Sequence, residues 1–151
     1  MRLSEVCVLD VVFCSRKTTI LEAARMMRQH HAGDLIVVDD ADEKRTPAGI
    51  ITDRDIVVEV LGRELDPAIT AVEQVMVKLS HLVMARDTED LGEAAERMRA
   101  HGVRRLPVVD HAGIVVGVVT LDDLLLQLAR NANVLAEIVA RELAHEQRAR
   151  R

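Results

Sequence analysis

Two segments of this chain, Thr52-Asp53-Arg54-Asp55 and Thr120-Leu121-Asp122-Asp123, carry residue types suited to a phosphorylated sugar. In each, a Thr hydroxyl is followed three residues later by a carboxylate and preceded, three residues earlier, by Gly49 or Gly117. The Gly lets a backbone or a ligand approach closely. The Thr stands where an apolar run gives way to a helical pattern, so its hydroxyl and the free N–H groups of the first turn make an anion site. Asp55 or Asp123, one turn on, can accept two hydroxyls, as ribose recognition requires. Arg54 adds a phosphate donor in the first copy. Asp122 takes that place in the second and adds negative charge instead. The same residues also make ordinary helix caps, with Thr at the N-cap and acids in the first turn. Spacing alone leaves both readings open. That two copies keep Thr and Asp together favours binding.

Other chemistry finds little support. No Ser stands in a Gly-x-Ser-x-Gly context and no His-Glu-x-x-His occurs. The chain reads as a non-enzyme. Six histidines are present, and His30 and His101 fall at equivalent helix ends, where they complement the dipole. No histidine set with cysteines or carboxylates reads as a zinc site, so no metal and no required cofactor are expected. Cys7 and Cys14 lie in apolar sequence and read as small buried hydrophobes; a disulfide between them would need an oxidising compartment. Arg104-Arg105 and Arg16-Lys17 can face a phosphate or simply water. Met26, Met27, Met76, Met84 and Met98 read as core filler.

Composition narrows the class. With 151 residues, 49% of them hydrophobic and 30% charged, the chain can bury a core without staples. One Phe with no Trp and no Tyr forces an aliphatic core and argues against base-stacking nucleic-acid readers. A net charge of −5 argues against a phosphate-backbone binder, so no nucleic-acid partner is expected. No stretch reaches the ~18 apolar residues needed to span a bilayer. Ser4, Glu5 and Asp10 interrupt any signal-peptide core, which makes the cytoplasm the expected location and a membrane role unexpected.

The elements that must position these residues come in two copies. Residues 22–39 match 93–110 at ten of eighteen positions, ending on Leu35-Ile-Val-Val-Asp39 and Leu106-Pro-Val-Val-Asp110. The first copy then has three extra residues before Gly49-Ile-Ile-Thr52 aligns with Gly117-Val-Val-Thr120. Thr19–Glu22 and Asp90–Glu93 are capping boxes. Ile20, Ala23, Ala24 and Met27 form one apolar helix face, repeated by Leu91, Ala94, Ala95 and Met98. Short apolar runs at 35–38 and 106–109 read as buried strands, each turning into a second strand at 48–51 or 114–119. Val11–Cys14 and Leu82–Ala85 each add an edge strand. Thr52 and Thr120 open another helix. The linker from Gly62 to Lys78 carries Asp66-Pro67 and a third capping box, Thr70–Glu73. Asn131-Ala-Asn133 interrupts the last helix. A further helix follows, with Leu135, Ile138, Val139 and Leu143 on one face and a basic tail from Arg148 to Arg151. That stripe reads as a partner-contacting or dimer helix. Docking on its own chain is the alternative.

These motifs, in this order and twice over, resemble a tandem pair of cystathionine beta-synthase (CBS) domains, also called a Bateman module. The resemblance rests on Glu-Ala-Ala in the first helix of each unit, Leu106-Pro-Val-Val-Asp110, and Gly-x-x-Thr-x-x-Asp at each unit's end. It implies an α/β (α+β) fold of two β-α-β-β-α units packed with pseudo-two-fold symmetry, plus a C-terminal helix. The units would span 8–62 and 78–130, with a linker at 63–77 and the last helix at 131–151. The implied role is regulation of a separate protein or of the oligomer by an adenosine compound (AMP, ADP, ATP or S-adenosylmethionine) bound in clefts between the units. Asp55 and Asp123 would hold ribose hydroxyls. Thr52 and Thr120 would contact ribose or phosphate, and Arg54 would neutralise phosphate. Cys14, Ile36, Ala85 and Pro107 would wall the adenine. The first site would prefer phosphorylated ligands, and the second, with Asp122, would bind more weakly or take less anionic ones. The resemblance also implies a homodimer through the faces at Ile56–Leu61 and Leu121–Leu128, and a protein partner it does not name. The alternative is a structural or interaction module, a dimeric scaffold with vestigial sites.

Overall fold

The computed structural model describes residues 1–39 and 43–149. The first unit runs β1 (Phe13–Ser15), α1 (Ile20–His30), β2 (Asp34–Val38), β3 (Pro47–Thr52) and α2 (Asp53–Asp55), which continues as a π-helical turn over Ile56–Leu61. The second runs β5 (Ala85–Arg86), α3 (Leu91–His101), β6 (Arg105–Val109), β7 (Val115–Thr120) and α4 (Leu121–Ala149). Between them, β4 (Val77–Lys78) completes a sheet of order β1-β2-β3-β4. The second sheet has the order β5-β6-β7.

Both leading helices start on the reciprocal boxes expected. Thr19 Oγ1 accepts from Glu22 N at 3.2 Å and Glu22 Oε2 from Thr19 N at 2.9 Å. Asp90 and Glu93 do the same at 2.9 and 2.8 Å. Ile20, Ala23 and Met27 bury α1, and Ala94 and Met98 bury α3. The small Ala residues bring each helix close to its sheet. Alternate strand residues serve two cores, which is why the strands are apolar throughout. Leu35, Val37 and Ile51 pack under α1, and Leu106, Val108 and Val119 under α3. Ile36, Ile50, Val109, Val115 and Val118 face the other way into a third cluster.

The two units exchange straps. Residues 70–78 pack on the first unit, where Val72 and Met76 enter its core and Val77 pairs with Ile50. Their counterparts near the start of the chain pack on the second unit: Leu3 and Cys7 enter its core, and Val8 bridges Val118. Thr19 bridges Ala71 just as Asp90 bridges Arg2. Gly49 and Gly117 are the seats of these straps. A Cβ at Gly49 would stand 2.4 Å from the Val77 carbonyl oxygen, and one at Gly117 2.6 Å from Cys7 Sγ. The close approach that the glycines allow is therefore to backbone and strap.

Two expectations are corrected. Thr70 does not cap a turn with Glu73. Buried, it donates instead to the Asp66 carbonyl at 2.7 Å, and the turn Val72–Gln74 is closed by Gln74 Oε1 accepting from Ala71 N at 2.7 Å. Nor does Asn131-Ala-Asn133 interrupt the last helix: α4 runs unbroken for 29 residues. Asn costs only a few tenths of a kcal/mol more than Ala inside a helix, no Gly or Pro is present there, and Asn131 Oδ1 accepts from Gln127 Nε2 at 3.2 Å. Beyond Gln127, α4 leaves the body, and Leu128, Leu135, Ile138, Val139 and Leu143 are all more than half exposed. Of the basic tail, Arg148 is exposed, while Arg150 and Arg151 lie outside the described residues. No described helix is long and apolar enough to cross a membrane.

Candidate functional site

The β3–α2 and β7–α4 junctions each form one wall of a cleft whose other wall comes from the opposite unit. In the first cleft, Thr52, Arg54 and Asp55 face Leu82, Val83, Val103, Arg104 and Arg105 across a volume of about 440 Å³. In the second, Thr120 and Val118 face Val11, Val12, His31, Ala32, Gly33 and Asp34 across about 280 Å³. The walls from the opposite unit, and Thr52 with Thr120, are equivalent under the repeat. A drug-sized ligand needs roughly 300–1,000 Å³, so the first cleft is large enough and the second is at the lower limit.

Each Thr–Asp pair makes a full capping box. Thr52 N and Oγ1 both donate to Asp55 Oδ2, at 2.8 and 2.9 Å, and Asp55 N donates to Thr52 Oγ1 at 3.2 Å. Thr120 and Asp123 repeat this at 2.8, 2.7 and 3.2 Å. Capping is thus real, and it engages Oδ2 of each carboxylate; Asp55 lines the first cleft, whereas Asp123 stands outside the lining of the second.

The two clefts differ in charge. Arg54, Arg104 and Arg105 of the first correspond to Asp122, Gly33 and Asp34 in the second. Asp122 is exposed and stands outside the lining of the second cleft. Arg105 and Asp34, which open equivalent strands, are ion-paired to each other at 3.0 Å across the pseudo-two-fold relation. Arg105 also lies 3.8 Å from Asp53 Oδ1, so it is not the solvated residue that one reading allowed. Burial pushes the Asp34 carboxyl up from its ordinary value; Arg105 opposes this, and Asp53 adds to it.

The clefts differ in backbone too. Ile36 N donates to the Val12 carbonyl at 3.0 Å, and β1 pairs with β2 from Phe13 onward. Pro107 holds the equivalent place and has no N–H. Pairing of β5 with β6 therefore starts one residue later, at Ala85, and the Val83 carbonyl receives no bond from Pro107.

Cys14, Ile36, Ala85 and Pro107 do not line either cleft. Cys14 and Ala85 are buried beneath the helices, and Ile36 lies in the cluster between the units. Pro107 is fully buried in β6. The apolar walls are made by the residues just before the edge strands, Leu82 and Val83 or Val11 and Val12. Sequence reasoning missed them by two or three positions; the end of each apolar run nearer the turn was the available signal. Cys7 and Cys14 belong to different cores and are free. Burial raises both thiols, Cys14 to about 12. Arg16 pairs with Asp39. Among the described residues, no group of three or more His, Cys, Asp or Glu is placed to hold a metal ion.

A model of the CBS domain matches residues 3–62 and 72–130. The chain belongs to the CBS-domain family. Both matches begin at a strap, consistent with a repeat unit that starts there. The CBS pair is 37% identical over 115 residues to the CBS domain-containing protein YhcV of Bacillus subtilis, covering 76% of each chain. It is 34% identical over 116 residues to an uncharacterised protein, MK0525, of Methanopyrus kandleri; the match covers 77% of this chain but 57% of that one. It is 35% identical over 121 residues to the inosine-5'-monophosphate dehydrogenase of Methanocaldococcus jannaschii, covering 80% of this chain and 22% of that enzyme. Among solved structures, the CBS domain protein PAE2072 of Pyrobaculum aerophilum, complexed with AMP, superposes with a TM-score of 0.75 at 27% identity, covering 86% of this chain and 99% of that one. The CBS domain pair of protein MJ0100, complexed with 5'-methylthioadenosine and S-adenosyl-L-methionine, shares the fold at a TM-score of 0.76 and 24% identity, covering 87% of this chain and 98% of that one.

Proposed function

We propose that this CBS pair is a regulatory module that binds an adenosine nucleotide in its first cleft and passes the signal to a separate partner or to its own oligomer. The observation that carries the reading is the set of groups converging on that cleft: the Asp55 carboxylate held by Thr52, the cations Arg54, Arg104 and Arg105, and the lining residue Val83 with its carbonyl unclaimed by Pro107. Asp55 takes the ribose hydroxyls, the arginines the phosphate, and Val83 the exocyclic amine of the base. Leu82, Val83 and Val103 form the apolar wall. The AMP in the PAE2072 structure supports the ligand class. The second cleft, with Asp34 and without Arg at the equivalent places, suits a neutral or cationic adenosyl compound, held by Asp123 and Thr120. Output follows from the position of the clefts: a ligand that touches both units favours one relative pose of them over another.

A homodimer is part of the same reading. Val57, Val58 and Leu61 on one face and Leu125, Leu126 and Leu128 on another are all nearly half exposed or more. Exposed apolar residues grouped in this way favour an interface. The exposed stripe of α4 from Leu128 to Leu143 also favours the second reading, an interaction module whose clefts are vestigial.

A thermal-shift panel of AMP, ADP, ATP and S-adenosylmethionine separates the two readings, with Asp55→Ala and Asp123→Ala as controls. A ligand at 100 times its Kd adds about 2.7 kcal/mol, or roughly 5–10 °C for a chain of this size. The sensor reading expects AMP to raise Tm by that order and Asp55→Ala to abolish the rise. No shift with any of the four leaves the interaction module.

A further inference from the structure

Arg105 is the residue that lines both clefts. Its Nε contacts Asp34 Oδ2 at 3.0 Å on the side of the second cleft, and its Nη1 stands 3.8 Å from Oδ1 of Asp53, the residue between Thr52 and Arg54. Its guanidinium lies close to Gly33, where a Cβ would come within 2.4 Å of Nη2 and shift it. Asp34, its partner, has a side chain only 16% exposed. The other titratable groups about the second cleft are Asp10, His30 and His31, none of which is ion-paired to Asp34 among the described residues.

We infer that Arg105 is a shared anion ligand, so that a phosphate bound in the first cleft draws it from Asp34 and thereby sets the charge of the second cleft. This rests on the nucleotide reading of the first cleft. A phosphate monoester carries about −1.5 to −2 at pH 7 and takes a guanidinium by a two-pronged contact. Asp34 through Nε and Asp53 at 3.8 Å from Nη1 each engage Arg105 by a single prong, which makes them the weaker partners. Once Arg105 turns, Asp34 remains in a partly buried place without its cation. It then takes up a proton or a cationic ligand group. Occupation of the first cleft by a phosphate therefore favours a cation in the second and disfavours a second anion, and linkage makes the effect reciprocal. The sign of communication between the clefts is set by ligand charge, through one side chain.

Calorimetric titration with AMP tests this on the full chain. Asp34→Asn, a change in the opposite cleft, frees Arg105 and is expected to tighten AMP about fivefold, the scale of one partly exposed ion pair. Arg105→Gln is expected to weaken AMP about tenfold and to erase the effect of Asp34→Asn in the double variant. Adenosine, which has no phosphate, is expected to bind both variants as it binds the wild type. Carbon-13 NMR of the Asp34 carboxyl needs no variant: AMP should raise its titration midpoint. AMP bound with the same affinity in Asp34→Asn, abolished by Asp55→Ala, and with no movement of the Asp34 midpoint, would overturn the shared-arginine proposal and leave the nucleotide reading standing. AMP bound to no form of the protein overturns both.

Discussion

The two clefts are built on one frame and carry opposite charge. The Thr–Asp boxes agree to within 0.2 Å in every bond. Even the joint between the walls repeats: Asp53 N donates to the Gly33 carbonyl at 3.0 Å, and Leu121 N to that of Arg104 at 2.9 Å. Yet three cations on one side correspond to Asp122, Gly33 and Asp34 on the other. The difference teaches where the two kinds of information reside. Backbone caps and strap seats set the shape and tolerate little change. The charge differs at a few wall positions while the backbone frame is kept.

The strap seats offer the largest test of that division. Gly49→Ala forces a Cβ against a backbone carbonyl at 2.4 Å, and Gly117→Ala most closely against Cys7 Sγ, which can rotate away, with the Val8 carbonyl farther off at 3.0 Å. We expect losses of about 3 and about 1–2 kcal/mol respectively, read by urea unfolding; equal losses would mean that the straps are not differently seated. Pro107→Ile is the sharper probe of the walls. It restores the donor that Ile36 supplies in the first unit, so β5 should gain about 1 kcal/mol while AMP weakens severalfold as the Val83 carbonyl is claimed. A stabilised variant with unchanged AMP affinity would remove Val83 from the site. His31 ends α1 at φ 51° where Gly102 ends α3 at φ 65°. His31→Gly should therefore raise stability by about 0.5–1 kcal/mol, whereas Gly102→His should lower it.

The smallest effect is a slope with pH. Asp34 has its folded pKa raised above the ordinary 3.8, burial being the main cause. The folded state then binds the proton more tightly than the unfolded chain. This group's contribution favours folding at low pH and is lost as pH rises from the unfolded value through the folded one. Asp34→Asn should remove that downward component from the stability profile just above pH 3.8, measured against wild type so that other carboxylates cancel. An unchanged difference across that window would contradict the burial-dominated shift.

Much of this frame was legible in the sequence because it is local. Thr19–Glu22 and Asp90–Glu93 are capping boxes whose parts lie three residues apart, and the apolar runs of β2, β3, β6 and β7 bear both their burial and their β-branched character. The Thr–Asp pairs were found for the same reason. The strap exchange was not legible as architecture. Leu3-Ser-Glu-Val-Cys-Val8 and Val72-Glu-Gln-Val-Met-Val77 share only two identities, and each packs on the unit other than the one that follows it in the chain. The Arg105–Asp34 pair joins strands 71 residues apart, which no spacing within a motif reveals. The walls were misplaced because a continuous apolar run does not say where its buried part ends and its cleft-facing part begins. The asparagines of α4 were read as a break from composition, when their cost in a helix is too small to stop one.

The crossed straps have a consequence for how the molecule is made. The first unit lacks Val72 and Met76 until synthesis has passed the linker, and the segment holding Leu3 and Cys7 emerges first but fits a core whose last strand ends at Thr120. Neither half is a separable folding unit in the order of synthesis. A break anywhere between the units would leave one core short of its strap residues and a strap with nowhere to dock, so neither half alone is expected to be as stable as the pair.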